Sequence, residues 1–347
     1  MTSTEIAELP AHPALKTRRA IMLLAVLSPV TAEVLSTSTP ILLFLFPFVA
    51  VFQIAFYGSA ALLIRETARR LGLGRRSILL FGAAYGIFEE ALINNTWFNA
   101  HWPDTLYLRH YGEYGGVNWL WAENLTFFHA IISISIPIFL AEMFFPQLAE
   151  RPWLSKRGII AFAVVFGAAS AIGLTIFGFI MYRGVGYYGP PFWPYVTAVA
   201  LCILSIGMGL QKSRNLRKIR QTKLPKLWFL RLFGFCGAVY EIISSGYFQP
   251  RIPAGVAIII TACVYGYMAA QVWRWSGIEG WGRRQILALC FGFLGLFIFI
   301  VAPIVEVIGH IGAKPAHGSL LIAALYCIAL AYLSHREKKA ANIFVMP

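Results

Sequence analysis

Glu89 and Glu90 stand side by side in the stretch Tyr85-Gly-Ile-Phe-Glu-Glu-Ala-Leu-Ile-Asn94, near the end of an apolar run that begins at Ile78. A second apolar run carries His129 about ten residues in, with Ser133 one turn later. Carboxylates and an imidazole in hydrocarbon surroundings cost free energy and are rare there, so they point to a site rather than to a solvated face. The chemistry open to such a set is general-base activation of water by a glutamate, with the histidine orienting the base or stabilising an oxyanion. The plainer alternative is a structural pair between a glutamate and Arg65 or His129. There is no HExxH, GxxxxGK[ST], strand–GxGxxG–helix or CxxCH pattern, so no nucleotide or haem cofactor is expected, and a metal held by Glu89 or Glu90 with His129 is a lesser alternative without a firm ligand pattern.

The elements that must position these residues are membrane spans. The chain of 347 residues is 59% hydrophobic and 13% charged, with a mean hydropathy of +0.68, whereas soluble domains carry about 25% charged residues. Ten apolar segments approach spanning length: 20–36, 41–64, 78–97, 119–145, 158–182, 192–211, 228–248, 253–273, 285–309 and 317–334. The fold class expected is therefore an all-α polytopic helix bundle. It divides into an N-terminal tail (1–19), a membrane domain (20–334) and a C-terminal tail (335–347). The basic stretch Lys16–Arg19 resembles a signal-peptide start, but Pro29 and Glu33 interrupt the run and no A-x-A site follows, so the first span is expected to be retained. Five cysteines lie in apolar runs without metal-ligand spacing and read as buried packing residues.

Lys and Arg outnumber Asp and Glu by 29 to 15. The excess sits in alternate loops: Arg65 to Arg76, Arg151 to Arg157, Lys212 to Lys226 and Arg274 to Arg284, together with both tails. Basic loops stay on the cytoplasmic side, so both termini are expected inside, in a plasma membrane of bacterial type. Loops this short and this regularly placed argue against nucleic-acid binding. Partners are then the lipid bilayer and a membrane-embedded or extracellular peptide.

With that orientation, Glu89 and Glu90 lie roughly 10–12 Å below the outer surface and His129 roughly 15 Å. Supporting groups are expected from helical spacing: Tyr85 on the face of Glu89, Asn94 on the face of Glu90, and Ser133 on the face of His129. Glu123 lies shallower on the helix of His129, Glu241 near the outer end of span seven, and Glu306 with His310 forms an i,i+4 pair closing span nine. Neighbouring side chains diverge by about 100° around a helix, so Glu89 and Glu90 are not expected to serve one point equally. The long outer loop 98–118, rich in Trp, Tyr and His, reads as interfacial anchoring or as a lid.

At Glu89-Glu90 and at Leu125-Thr-Phe-Phe-His129 the chain resembles the superfamily of type II CAAX-processing endopeptidases and related site-1 intramembrane proteases. Asn94 stands where that family's EExxxR motif has arginine, and no later HxxxN or HxxxD follows. The resemblance implies a glutamate-activated water attacking a peptide bond. The chain also resembles a family of uncharacterised actinobacterial-type integral membrane proteins, through Pro29-Val-Thr-Ala-Glu33, Leu63-Ile-Arg65-Glu66 and Ala84-Tyr-Gly-Ile-Phe-Glu-Glu90. The functional reading is an outward-facing intramembrane Glu/His site of peptidase type. A transporter or proton-coupled permease, or a non-catalytic scaffold, is the alternative.

Overall fold

The computed structural model describes residues 13–105, 108–187, 189–212, 223–249, 251–311 and 314–343. The N-terminal tail to residue 12, Tyr107, the basic residues Arg214, Arg217, Lys218 and Arg220, and the last four residues lie outside the described set. The fold is all-α and polytopic. Eight helices are long and apolar enough to cross a membrane: α3 (Pro47–Arg70), α5 (Trp119–Phe144), α6 (Lys156–Ile180), α7 (Phe192–Leu210), α8 (Leu227–Gly246), α9 (Ala254–Ser276), α10 (Arg283–Ile308) and α11, whose apolar part is Ser319–Ala340. The other two expected spans are helical too, as α1 (13–35) and α4 (75–93). They differ from the eight in charge. Helix α1 carries Lys16, Arg18, Arg19 and Glu33, and α4 carries Arg75, Arg76, Glu89 and Glu90.

The second expected span begins later than its apolar run. Ile41–Phe44 forms a separate turn, α2, and α3 starts at Pro47, whose fixed φ and missing N–H suit a first helical position. Helices α5 and α10 are the most buried of the spans. Helices α6 to α9 present large apolar side chains outward, among them Ile160, Trp193, Ile203 and Ile259, each more than half exposed. That distribution suits lipid rather than water. Two of the cysteines expected in the core, Cys236 on α8 and Cys263 on α9, are exposed on this apolar exterior. Hydropathy cannot separate a lipid-facing thiol from a packed one.

The basic loops converge on one end of the bundle. There Arg69 reaches Glu150 (3.1 Å), Arg283 reaches the Pro146 carbonyl (3.3 Å) and Arg76 lies over the Trp273 ring (3.9 Å). At the opposite end, the 98–118 loop folds into a short hairpin, Glu113–Tyr114 against Val117–Asn118, and Tyr111 donates to the Ile252 carbonyl at 2.7 Å.

Close helix approach sets the position of α4 on α5. A Cβ at Gly82 would come within 2.9 Å of the Ala130 backbone, and one at Gly86 within 2.9 Å of His129 Cβ. Two glycines four residues apart thus clear one face of α4 for its neighbour, as small residues do between membrane helices.

Candidate functional site

Glu89, Glu90 and His129 meet in the interior, with 3%, 6% and 3% of their surfaces exposed. His129 Nε2 lies 3.0 Å from Glu90 Oε1, and Nδ1 lies 3.2 Å from Glu89 Oε2. Ser133 Oγ is 2.9 Å from the same Nδ1. Both adjacent carboxylates therefore clasp one imidazole, against the expectation that they would diverge. The ring resolves the geometry by offering nitrogens on opposite edges. The backbone contributes as well, since α4 widens into a π-turn over Phe88–Ile93, and α5 does so over His129–Ser135.

Two more π-turns lie at the same site. Glu33 sits in Val30–Leu35 of α1 and Tyr57 in Ile54–Gly58 of α3. Single π-turns inside α-helices are uncommon and often mark functional positions. Here four helices each place a polar side chain from such a turn. The Tyr57 hydroxyl contacts Glu89 Oε1 and also Glu33 Oε1, the latter at 2.5 Å. A hydroxyl carries one proton and can donate to only one carboxylate, so the second contact needs a proton on an acid. Glu33 Oε2 accepts from Thr39 Oγ1 at 2.7 Å.

On the other side, Glu90 Oε2 accepts from Thr96 Oγ1 at 2.5 Å, and Thr96 in turn accepts from the Trp121 indole at 3.0 Å. The expected partner, Asn94, does not fill this place. The helix ends at Ile93, Asn95 takes a left-handed conformation (φ 58°), and the chain folds back to bring Thr96 over Glu90. Helical spacing no longer applies beyond that turn.

Tyr85 packs edge-on to His129, with centroids 5.9 Å apart, and its hydroxyl lies beside Glu89. Among the described residues, neither the Tyr85 hydroxyl nor Glu89 Oε2 closes a well-formed hydrogen bond, although both are buried. Tyr85 also lines an apolar groove of about 390 Å³ between α3, α4, α6 and α7, together with Leu63, Ile64, Phe88, Phe166 and Ile206 among others.

The remaining expected residues lie elsewhere. Glu123 and Glu241 border a second polar patch between α5, α8 and α9. At its centre Asn124 Oδ1 accepts from Tyr265 (2.6 Å) and Ser244 (3.0 Å). Glu241 is within electrostatic range of His129 without bonding it. The expected Glu306–His310 pair does not form. Helix α10 ends at Ile308, Gly309 turns the chain at φ 77°, and Glu306 instead accepts from the Gly318 and Leu320 amides at 2.8 and 3.2 Å. Arg65 does not serve the glutamate pair either. It is ion-paired with Glu142 at 3.0 Å, at the basic end.

Tyr57 and Thr96 are the members that sequence reading missed. A tyrosine in an aromatic run looks like packing, and a threonine past a helix end carries no periodic signal. Glu33 stands out in the sequence only as a charge interrupting the first apolar run.

Residues 22–180 match the model of an uncharacterized membrane protein family. That range contains each residue of the Glu89–Glu90–His129 network named above. A protein of Archaeoglobus fulgidus, described as an uncharacterized protein, is 31% identical over 171 residues, covering 45% of this chain and 50% of the relative. The chain thus spans about half the length of the curated relative it matches. No solved structure matches. The fold and the comparisons together make this a multi-pass integral membrane protein, similar over its site-bearing half to an uncharacterized membrane protein family.

Proposed function

We propose that the protein is a glutamate-dependent intramembrane peptidase, with both termini cytoplasmic and the site towards the outer leaflet. The observation that carries this reading is Glu89 Oε2, a buried carboxylate oxygen that closes no well-formed hydrogen bond among the described residues and lies 3.2 Å from His129 Nδ1. Such an oxygen is free to accept a proton from a water placed beside it. In the proposed reaction the water oxygen attacks the scissile carbonyl and Glu89 takes its proton. The C–N bond then breaks as that proton passes to the leaving amine, and His129 stabilises the oxyanion. Glu90, fixed by Thr96, holds the ring. The apolar groove that Tyr85 helps to line suits a membrane-embedded substrate. The likeness of Glu89-Glu90 and His129 to the CAAX-processing and site-1 protease superfamily supports the same chemistry.

Cleavage of a membrane-anchored reporter peptide in proteoliposomes tests it. Glu89→Gln, Glu90→Gln and His129→Ala are expected to lower the rate by about 10²–10⁴. Unchanged cleavage in all three variants removes the proposal.

A second reading, a proton-coupled permease, draws on one feature. Glu33, Tyr57, Glu89, His129, Glu90 and Thr96 form one linked polar chain across four helices, and buried Glu and His serve proton relays in transporters. Solute uptake driven by a pH gradient and lost in Tyr57→Phe is its expected result.

A further inference from the structure

We propose that a pocket at the basic end of the bundle, between α8, α10 and α11, binds a phosphate-bearing anion, supplied by the headgroup of an anionic phospholipid or by the aqueous phase. The pocket shares no residue with the Glu89–Glu90–His129 cluster, and the proposal does not depend on peptidase activity.

The pocket holds about 240 Å³, and its polar lining comes from Arg231 of α8, Arg284 of α10 and Ser334, His335 and Lys338 of α11. Helices α8 and α10 begin at this end, and α11 runs out through it. Helical spacing turns the groups to one place. Leu227 and Arg231 are four residues apart on α8, as are Arg284 and Ala288 on α10, and Ser334 and Lys338 on α11.

Neighbouring cations show what is unusual about these three. Arg283 donates to the Pro146 carbonyl at 3.3 Å, and Arg336 donates to the Met143 and Phe144 carbonyls. Both are spent on the end of α5. Among the described residues, none of Arg231, Arg284 and Lys338 is ion-paired with a carboxylate or hydrogen-bonded to a carbonyl. Arg231 lies over the Phe291 ring at 5.1 Å, and all three residues are exposed and so within reach of a ligand. The one acid of the lining, Glu337, already has Arg336 beside it at 3.5 Å. Like charges gathered round a common space repel, and an anion between them turns that repulsion into attraction. Topology alone asks for basic residues at this end but not for their convergence on one pocket.

The donor types select the class. Guanidinium forks and an ammonium suit phosphate oxygens, and Ser334 and His335 can add hydrogen bonds. Leu287 and Ala288, each 4% exposed, give the pocket an apolar side. Trp228, 60% exposed one residue after Leu227, marks headgroup level. Basic pockets between membrane helices are known receptors for anionic headgroups.

The test is selective binding. Full-length protein in detergent is titrated with phosphatidylglycerol and with phosphatidylcholine of the same acyl chains, bound lipid being counted by native mass spectrometry. Inorganic phosphate is titrated separately by calorimetry. Phosphatidylglycerol is expected to bind more tightly than phosphatidylcholine. Arg231→Gln with Arg284→Gln is expected to weaken it about 25-fold, about fivefold for each cation. Lys156→Gln with Arg157→Gln removes the same charge from the exposed start of α6, outside the pocket, and is expected to bind as wild type does. If the pocket pair does not fold, Lys338→Gln carries the comparison, with a loss of about fivefold. Preference for phosphatidylglycerol that only the pocket variants lose assigns the site to lipid. Phosphate bound as tightly as phosphatidylglycerol, and lost in the same variants, keeps the site and makes its ligand a soluble anion. Equal binding of the two lipids without phosphate binding, no binding at all, or equal loss in the pocket and control variants overturns the proposal.

Discussion

Two clusters of ionisable side chains lie at different levels along α3 and α5, and they are built on opposite logics. At the basic end, Arg65, Arg69 and Arg70 face Glu66, Glu142 and Glu150. Arg69 holds Glu142 with two hydrogen bonds of 2.8 and 2.6 Å. Arg70 holds Glu66 at 2.7 Å. Arg65 pairs with Glu142 at 3.0 Å, donates to the Leu148 and Ala149 carbonyls (3.0 and 2.8 Å) and stacks on Trp153 at 3.4 Å. Charges balance, and the guanidiniums pin the loop after α5 to α3. At the Glu89 site three acids meet one imidazole, and among the described residues no lysine or arginine is ion-paired to them. A cluster built only for stability would have no reason to keep acids in excess, because each unpaired buried charge is a cost. The contrast separates a staple from a site within one protein.

The sharpest way to break that contrast is to remove one acid from each cluster. Glu89→Gln keeps the shape and removes a charge that has no arginine partner. It is expected to lower reporter cleavage by about 10²–10⁴-fold while leaving the melting temperature in detergent unchanged or slightly raised. A large fall in melting temperature would make the Glu89 cluster a staple too. Glu142→Gln should do the reverse. It leaves Arg65 and Arg69 buried and short of charge, a loss of about 3–5 kcal/mol, read as a lower melting temperature. An unchanged transition would show that the carbonyls and Trp153 hold the arginines unaided.

A smaller effect tests how the site is assembled. Gly86→Ala introduces a methyl 2.9 Å from His129 Cβ and 3.3 Å from Thr126 Cα. Helix backbones, not a flexible tip, must give way, at a cost of about 1–3 kcal/mol. Because α4 and α5 would separate beside the Glu–His contacts, cleavage is expected to fall more than stability. Equal behaviour of Gly86→Ala and wild type would mean that the helices approach less closely than described.

The sequence made the first half of this contrast readable and hid the rest. Acids inside apolar runs are visible without coordinates, which is why Glu89, Glu90 and His129 were legible as a set and the all-α membrane bundle with them. Charge alternation anticipated the gathering of basic loops at one end, which Arg69, Arg76 and Arg283 now show. What failed was helical periodicity applied where the backbone leaves it. The Glu90–Asn94 pairing assumed a helix continuing past Ile93, and the Glu306–His310 pairing assumed one continuing past Ile308. The π-turns that bring Glu89 and Glu90 to one ring have no sequence signal in a single chain. Tyr57 was hidden for another reason: its role depends on the register of α3 against both α1 and α4, a tertiary fact.

Thr96 gives the finest test, because it belongs to the site through a turn rather than a helix. Its hydroxyl donates to Glu90 at 2.5 Å and accepts from Trp121 at 3.0 Å. Thr96→Val keeps the volume, removes both bonds and leaves the buried indole N–H unpaired, at a cost of about 1–3 kcal/mol. If Glu90 serves only to hold the imidazole, freeing its Oε2 should loosen His129 and reduce cleavage several-fold, with the same pH profile as wild type. If Glu90 is itself the base, the lost donor changes the proton affinity of the reacting carboxylate, and the pH profile must move with the rate. A shifted profile in Thr96→Val, with Glu89→Gln still active, would therefore exchange the roles of the two glutamates while leaving the difference between staple and site intact.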